Sequence, residues 1–149
     1  MSRLQLALNV TDLDAAIAHY SSLFGTGPAK VKPGYANFAI SEPPLKLVLI
    51  ENAAAEQGSI NHLGVEVESR DEVAAEHARI SAAGLTSVVE GETTCCFAVQ
   101  DKFWVQDGPT PFEVYTVLAP AEVMFQPESA CCAPVAEVAA EPVAVGRCC

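Results

Sequence analysis

The chain has 149 residues, half of them apolar and 18% charged, with a formal net charge of −11. That length suits one compact domain or two small repeats around a shared core, and the composition excludes global disorder. The acidic excess repels phosphate backbones and anionic lipid heads, which argues against nucleic acid and membrane surfaces as partners. No apolar run reaches the ~18 residues of a membrane span, and Met1-Ser2-Arg3-Leu4-Gln5 lacks the apolar core of a signal peptide. The protein is expected in the cytoplasm, where thiols stay reduced and cysteines read as ligands or nucleophiles before disulfides.

Leu4-Gln5-Leu6-Ala7-Leu8-Asn9-Val10 alternates as a half-buried strand with Leu4, Leu6, Leu8 and Val10 on one face. Thr11 and Asp14 form a capping box, and Leu13, Ala16, Ile17, Tyr20, Leu23 and Phe24 follow at helical spacing until Gly25 stops the helix. Short strand candidates follow at Tyr35–Ile40 and Leu45–Glu51. The same grammar returns roughly 57–59 residues later, which marks an internal repeat. Asn61-His62-Leu63-Gly64-Val65-Glu66-Val67 alternates, Ser69 and Glu72 form the second capping box, and Val73, His77, Ile80 and Ala83 continue the helix to Gly84. Strand candidates then lie at Ser87–Glu90, Phe97–Gln100, Phe103–Gln106 and Phe112–Leu118, separated by Gly/Pro punctuation.

The predicted fold is α+β: two βαβββ modules, 1–52 and 60–118, joined by a small polar linker at 53–59. Neither module buries its sheet alone, so the two share one curved mixed sheet, helices outside, around a cleft. From Ala119 the periodicity stops, and 119–149 reads as a flexible tail.

All six cysteines fall in adjacent pairs: Cys95-Cys96, Cys131-Cys132 and Cys148-Cys149. Chance placement gives about 0.2 such pairs, so the pairing is a signal. Adjacent strand residues point to opposite faces, and two neighbouring thiols converge only where the backbone turns. Such pairs make poor disulfides and poor tetrahedral zinc sites, but suit a thiophilic ion such as trivalent arsenic or cadmium. The tail pairs have no geometry to argue from.

If Leu6 and Leu8, Leu63 and Val65, and Phe112 and Val114 pack beneath the helices, then Gln5, His62 and Glu113 point the other way. An amide oxygen, an imidazole and a carboxylate suit Fe²⁺, Ni²⁺, Mn²⁺ or Zn²⁺. Each residue alone is ordinary; the matched repeat positions single out the three. His19 and His77 sit inside helical patterns and read as structural.

Paired βαβββ modules with candidate ligands on first and last strands resemble the vicinal oxygen chelate superfamily of glyoxalases, bleomycin-resistance proteins and dioxygenases. More narrowly, Arg3–Val10, Pro33–Ile40, Pro43–Leu49, Asn61–Val67 and Thr93-Thr94-Cys95-Cys96-Phe97-Ala98 with Gln100-Asp101-Lys102 are similar to the cadmium-induced proteins and organoarsenical carbon–arsenic lyases. The likeness spans residues 1–118 and leaves out the tail. It implies an Fe(II)-dependent dioxygenase, with O2 as co-substrate, that splits the carbon–arsenic bond of a trivalent methyl or aromatic arsenical. By position, Gln5, His62 and Glu113 would hold the metal, and Cys95 and Cys96 the arsenic. Gln5 departs from the histidine of the better-known dioxygenase triad. Superfamily members with four protein ligands draw one from the first module's last strand, and Leu45-Lys46-Leu47-Val48-Leu49 offers no carboxylate or imidazole. Three protein ligands leave positions for dioxygen and water.

Phe97, Lys102 and Trp104 are loop or pocket candidates, and Lys102 is the one basic neighbour of the thiols in sequence. Gly91–Thr94 and Gly108–Pro111 are expected to be mobile loops, the first a lid carrying the thiols. The resemblance implies a small trivalent arsenical as partner, and the chain is expected as a monomer or homodimer. Two other readings remain open: a non-enzymatic thiol protein that sequesters cadmium or arsenite, and a glyoxalase-type or drug-binding resistance protein indifferent to Cys95 and Cys96.

Overall fold

The computed structural model describes residues 2–125. Strand β1 (Arg3–Val10) turns Leu6, Leu8 and Val10 into a core shared with Leu13 and Ala16 of helix α1 (Leu13–Phe24), while Leu4 lies beyond the helix and is exposed. The helix is capped one residue later than expected. Asp12, with extended backbone, accepts from Ala15 N at 2.9 Å, because Thr11 spends both its N–H and its hydroxyl on Gln57 Oε1. Gly25 (φ 65) ends it in the left-handed conformation.

Strands β2 (Lys30–Lys32), β3 (Tyr35–Ile40) and β4 (Leu45–Glu51) complete the first module. The second runs β5 (Ile60–Glu66), α2 (Arg70–Ala82), β6 (Ser87–Cys95), β7 (Ala98–Val105) and β8 (Phe112–Pro120). Ser69 caps α2, accepting from Glu72 N at 3.2 Å. Two departures matter. The candidates at 97–100 and 103–106 are one strand, β7. Gly91–Thr94 is no loop but part of β6, paired with β7 down to Cys95↔Ala98, because a bulge at Gly91 (φ 63) absorbs the glycine without ending the strand. Lys102 and Trp104 are therefore β7 residues, and only Phe97 lies in a turn.

All eight strands form one sheet in the order β2-β3-β4-β1-β5-β8-β7-β6. The modules meet where β1 and β5 pair antiparallel, and each closes with a parallel pair, β1–β4 and β5–β8. Both helices lie on one face, α1 over β3 and β4, α2 over β6, β7 and β8. Strand alternation sends Gln5 and Ala7, Lys46 and Val48, His62 and Gly64, Lys102 and Trp104, and Glu113 and Tyr115 to the other face. That face carries the candidate site.

Residues 119–125, expected in the tail, join the fold, and the rest of that expected tail lies outside the described residues. Ala119 and Pro120 belong to β8, Ala121 N donates to Phe97 O at 3.0 Å, and Phe125 bridges Cys95. Cys131, Cys132, Cys148 and Cys149 lie outside the described residues. No helix among the described residues is long and apolar enough to cross a membrane.

Candidate functional site

Gln5, His62 and Glu113 come together on three neighbouring strands. Gln5 stands opposite Gly64, and Gly64 opposite Glu113, so a glycine occupies the midpoint between amide and carboxylate. A Cβ at Gly64 would sit 2.7 Å from Glu113 Cγ and 2.9 Å from Glu113 O; only the missing side chain lets the two lean together. His62 enters from two residues earlier on β5, opposite Ala7. The contacts are Gln5 Nε2 to His62 Nε2 at 2.9 Å, Gln5 Nε2 to Glu113 Oε1 at 2.5 Å, and His62 Nε2 to Glu113 Oε1 at 3.4 Å. All three side chains are buried.

This donor set fits a divalent cation. With bonds of about 2.1 Å, ligands at adjacent corners of a coordination polyhedron stand about 3 Å apart, close to the three spacings here. Among the described residues no three His, Cys, Asp or Glu side chains cluster, and beside His62 and Glu113 the Gln5 amide is the group that could serve as a third donor.

Hydrogen bonds fix the ring. Asn61 Nδ2 donates to Asn9 Oδ1 at 2.9 Å, which leaves Asn61 Oδ1 facing His62 Nδ1 at 2.8 Å. Nδ1 then donates, and Nε2 faces the centre: protonated it pairs with Glu113, and in the neutral ring it offers the lone pair that a metal ligand requires. Burial pushes the Glu113 carboxyl upward in pKa, but Lys102 at 3.5 Å, His62 and Lys46 outweigh it and hold the group at about 2. Below the triad, Tyr115 accepts from Lys46 Nζ at 2.8 Å and lies within hydrogen-bond reach of Gln5 Oε1 and Glu66 Oε2. Glu66 also pairs with Arg3 and Lys46.

Cys95 and Cys96 meet as the chain turns. Cys96 and Phe97 are the two central residues of the β6–β7 hairpin, both left-handed at φ 56 and 59, and the sulfurs approach to 3.2 Å. Such turns favour Asn and Gly; two side-chain-bearing residues cost about 1–2 kcal/mol each. The surroundings hold the strain. Phe97 O accepts from Lys30 Nζ at 2.9 Å and from Ala121 N, Cys96 N donates to Met124 O at 2.7 Å, and the Phe97 ring packs on Tyr35 at 5.6 Å. Lys30, from the other module, thus holds the turn's backbone, and Lys32 lies over the Phe97 ring at 5.7 Å, whereas Lys102 pairs with Glu113. Burial and then Lys46 lower the Lys30 pKa, partly offset by attraction to Cys96.

The two halves of the site share a face. Cys95, Cys96 and Phe97 pack with Ala7, Val48, Tyr35 and Trp104. Ala7 stands opposite His62, and the Trp104 ring meets the His62 ring edge-on at 5.3 Å. His77, read as structural, hydrogen-bonds Ser87 at 2.9 Å and packs on Phe103.

A model of the Glyoxalase/Bleomycin resistance protein/Dioxygenase superfamily matches residues 3–108. The chain belongs to that superfamily. It is 57% identical over 136 residues, covering 90% of each chain, to the trivalent organoarsenical cleaving enzyme of Thermomonospora curvata. It is 63% identical over 123 residues to cadmium-induced protein CadI of Mycobacterium bovis, covering 82% of this chain and 80% of the relative. This superfamily member also resembles the Mn(II)-bound glyoxalase from Novosphingobium aromaticivorans, with a TM-score of 0.55 and 25% identity over 81% of this chain and 42% of that one. Methylmalonyl-CoA epimerase from Mycobacterium tuberculosis shares the fold, with a TM-score of 0.58 at 18% identity over 75% of this chain and 85% of that one. Superfamily members thus bind divalent metals such as Mn(II).

Sequence reasoning missed Gly64, Asn61, Tyr115, Glu66 and Lys30. A glycine inside an alternating strand signals close approach and would have pointed to Gly64. Tyr115 shares the parity of Glu113. Nothing in the sequence links Lys30 to a turn in the other module.

Proposed function

We propose that this chain is a carbon–arsenic lyase, a non-haem Fe(II) dioxygenase that releases arsenite from trivalent methyl or aromatic arsenicals. Gln5, His62 and Glu113 would hold the ion, which when bound supplies Lewis acidity and one-electron exchange with O2. Cys95 and Cys96 take the arsenic: two thiols form two As–S bonds and two hydroxyls leave as water, so one organic substituent stays on arsenic. Trp104 and Phe97 enclose the thiols and exclude water. Lys102 keeps Glu113 ionised, and Asn61 keeps the His62 lone pair inward. Fixing the substrate by two bonds converts a collision into a local reaction.

The observation that carries the reading is the twin-thiol turn packed on the same sheet face as an amide, an imidazole and a carboxylate. The identity to an organoarsenical cleaving enzyme points the same way. The test follows arsenite release from a methylarsenical by chromatography, with and without oxygen, and with Fe(II) removed and restored. Release is expected only with both, and to fall by about 100-fold or more in His62→Ala, Glu113→Ala, Cys95→Ser and Cys96→Ser. Turnover indifferent to Cys95 and Cys96, or abolished by replacing the tail pairs alone, would overturn the assignment.

A further inference from the structure

We propose that Tyr115 is a positioning residue that lets the Gln5 amide turn its oxygen toward a cation; this rests on the metal-binding role given above to Gln5, His62 and Glu113. A side-chain amide has nearly the same shape either way round, with opposite polarity at its two ends. In the structure Nε2 points inward, donating to His62 Nε2 at 2.9 Å and Glu113 Oε1 at 2.5 Å, while Oε1 accepts from the Tyr115 hydroxyl at 2.5 Å. An amide N–H cannot ligate a cation; the carbonyl oxygen can. A half-turn about the Cγ–Cδ bond brings Oε1 inward and aims the NH2 group at Tyr115.

That second orientation requires Tyr115 to accept where it had donated, and its surroundings allow both. The phenol has one hydrogen and two acceptors in reach, Gln5 Oε1 at 2.5 Å and Glu66 Oε2 at 2.9 Å, beside one donor, Lys46 Nζ at 2.8 Å. With Oε1 outward, the hydrogen goes to Gln5, and Glu66 keeps Arg3 and Lys46. With NH2 outward, the hydrogen swings to Glu66, and the two phenol lone pairs take Gln5 Nε2 and Lys46 Nζ. Every group is satisfied either way. Tyr115 is fully buried and Gln5 is 3% exposed, so without the hydroxyl the outward NH2 has no such partner and bears the full cost of an unmade hydrogen bond. Glu66 matters here only as the alternative acceptor that frees the phenol oxygen.

The experiment measures Mn(II) affinity by EPR titration of the full chain, Mn(II) being a hard ion that thiols disfavour. Tyr115→Phe is expected to weaken Mn(II) binding by about 10–100-fold, the loss typical of an outer-shell partner. Its metal-free melting temperature should fall by a few degrees, because the outward Gln5 Oε1 also loses its donor; the loss in affinity reads the larger cost of an orphaned N–H over an under-satisfied carbonyl. The same substitution made on Gln5→His, whose ring nitrogen needs no such turn, should change affinity by less than about threefold. Tyr115→Phe within about threefold of wild type overturns the proposal. So does an equal loss in the Gln5→His background, which would mean that Tyr115 acts through β8 and Glu113. A wild-type chain without a Mn(II) site sensitive to His62→Ala or Glu113→Ala removes the metal reading itself, and this inference with it.

Discussion

Gly64→Ala adds one methyl group at the midpoint of the candidate centre. Its Cβ would stand 2.7 Å from Glu113 Cγ and 2.9 Å from Glu113 O. Carbon atoms rest about 3.5–4.0 Å apart, so Glu113 has to retreat by about 1 Å. The side chain alone cannot absorb this, because the second clash is with backbone. Leu63 N to Pro111 O at 3.1 Å and Val67 N to Tyr115 O at 2.8 Å pin β8 to β5 on either side. Overpacking of this kind costs about 1–3 kcal/mol. For a chain of this length that corresponds to a fall in Tm of about 3–10 °C. The carboxylate moves with its backbone, and misplacing a functional group by about 1 Å costs on the order of 100-fold. At about 1.4 kcal/mol per tenfold that is about 3 kcal/mol, so metal affinity should fall by as much as stability or more. Calorimetric melting and Mn(II) titration of the same sample separate the two. Gly108→Ala is the control, since its Cβ meets only Thr110 O at 3.6 Å, and it should change neither quantity. A Gly64→Ala protein that binds Mn(II) as tightly as wild type would refute the argument that the glycine makes the site.

Lys30→Met removes the amine that holds Phe97 O while keeping side-chain length. Capture of a trivalent arsenical should slow by about tenfold at neutral pH, and Lys30→Arg should recover most of the rate. The sole tryptophan, Trp104, packs against both thiols and reports capture by fluorescence; equal rates in the Met variant would exclude a role for Lys30. Burial raises the Glu66 pKa, but Lys46, Tyr115 and Arg3 outweigh it and leave it below the usual 4.5. A depressed carboxylate stabilises the fold above its unfolded pKa, and that contribution disappears as pH falls through the lower native value. The urea midpoint of wild type should thus drop more steeply than that of Glu66→Gln between about pH 5 and 3. Parallel profiles would show that Glu66 titrates alike in both states.

The modules were legible because each rule acts locally. Alternation in Leu4–Val10 and Asn61–Val67, a cap, a helical stripe and a glycine stop all recur, and alternation alone puts Gln5, His62 and Glu113 on the face away from the helices. Pairing register was not legible. That Gly64 falls between Gln5 and Glu113 depends on how β1, β5 and β8 slide past one another, which no single strand encodes. Lys-Val-Lys at 30–32 is too short for periodicity to show, so both β2 and its amine at the thiol turn went unseen. The rule that adjacent thiols converge only at a turn applied at Cys95 and Cys96, yet the turn was sought in the wrong form. Gly91 suggested a loop, whereas its positive φ is taken up by a bulge and the strand runs on to Cys95.

The repeat is mirrored but its chemistry is not. Aligning the caps Asp12 and Ser69 lays Gln5 on His62 and Ala7 on Gly64; through the strand partners of the last two, Val48 corresponds to Glu113. The position that carries a carboxylate in the second module is thus apolar in the first, and Val48 packs in the cluster that holds Cys95 and Cys96. One substitution in the pattern has two consequences. It offers no fourth candidate donor beside Gln5, His62 and Glu113, and it provides an apolar seat for the thiol turn. The turn, from the second module, is in turn held by Lys30 and Tyr35 of the first. Neither module could assemble either half of the site alone, so a mutation that loosens the β1–β5 seam should disable metal binding and arsenical capture together.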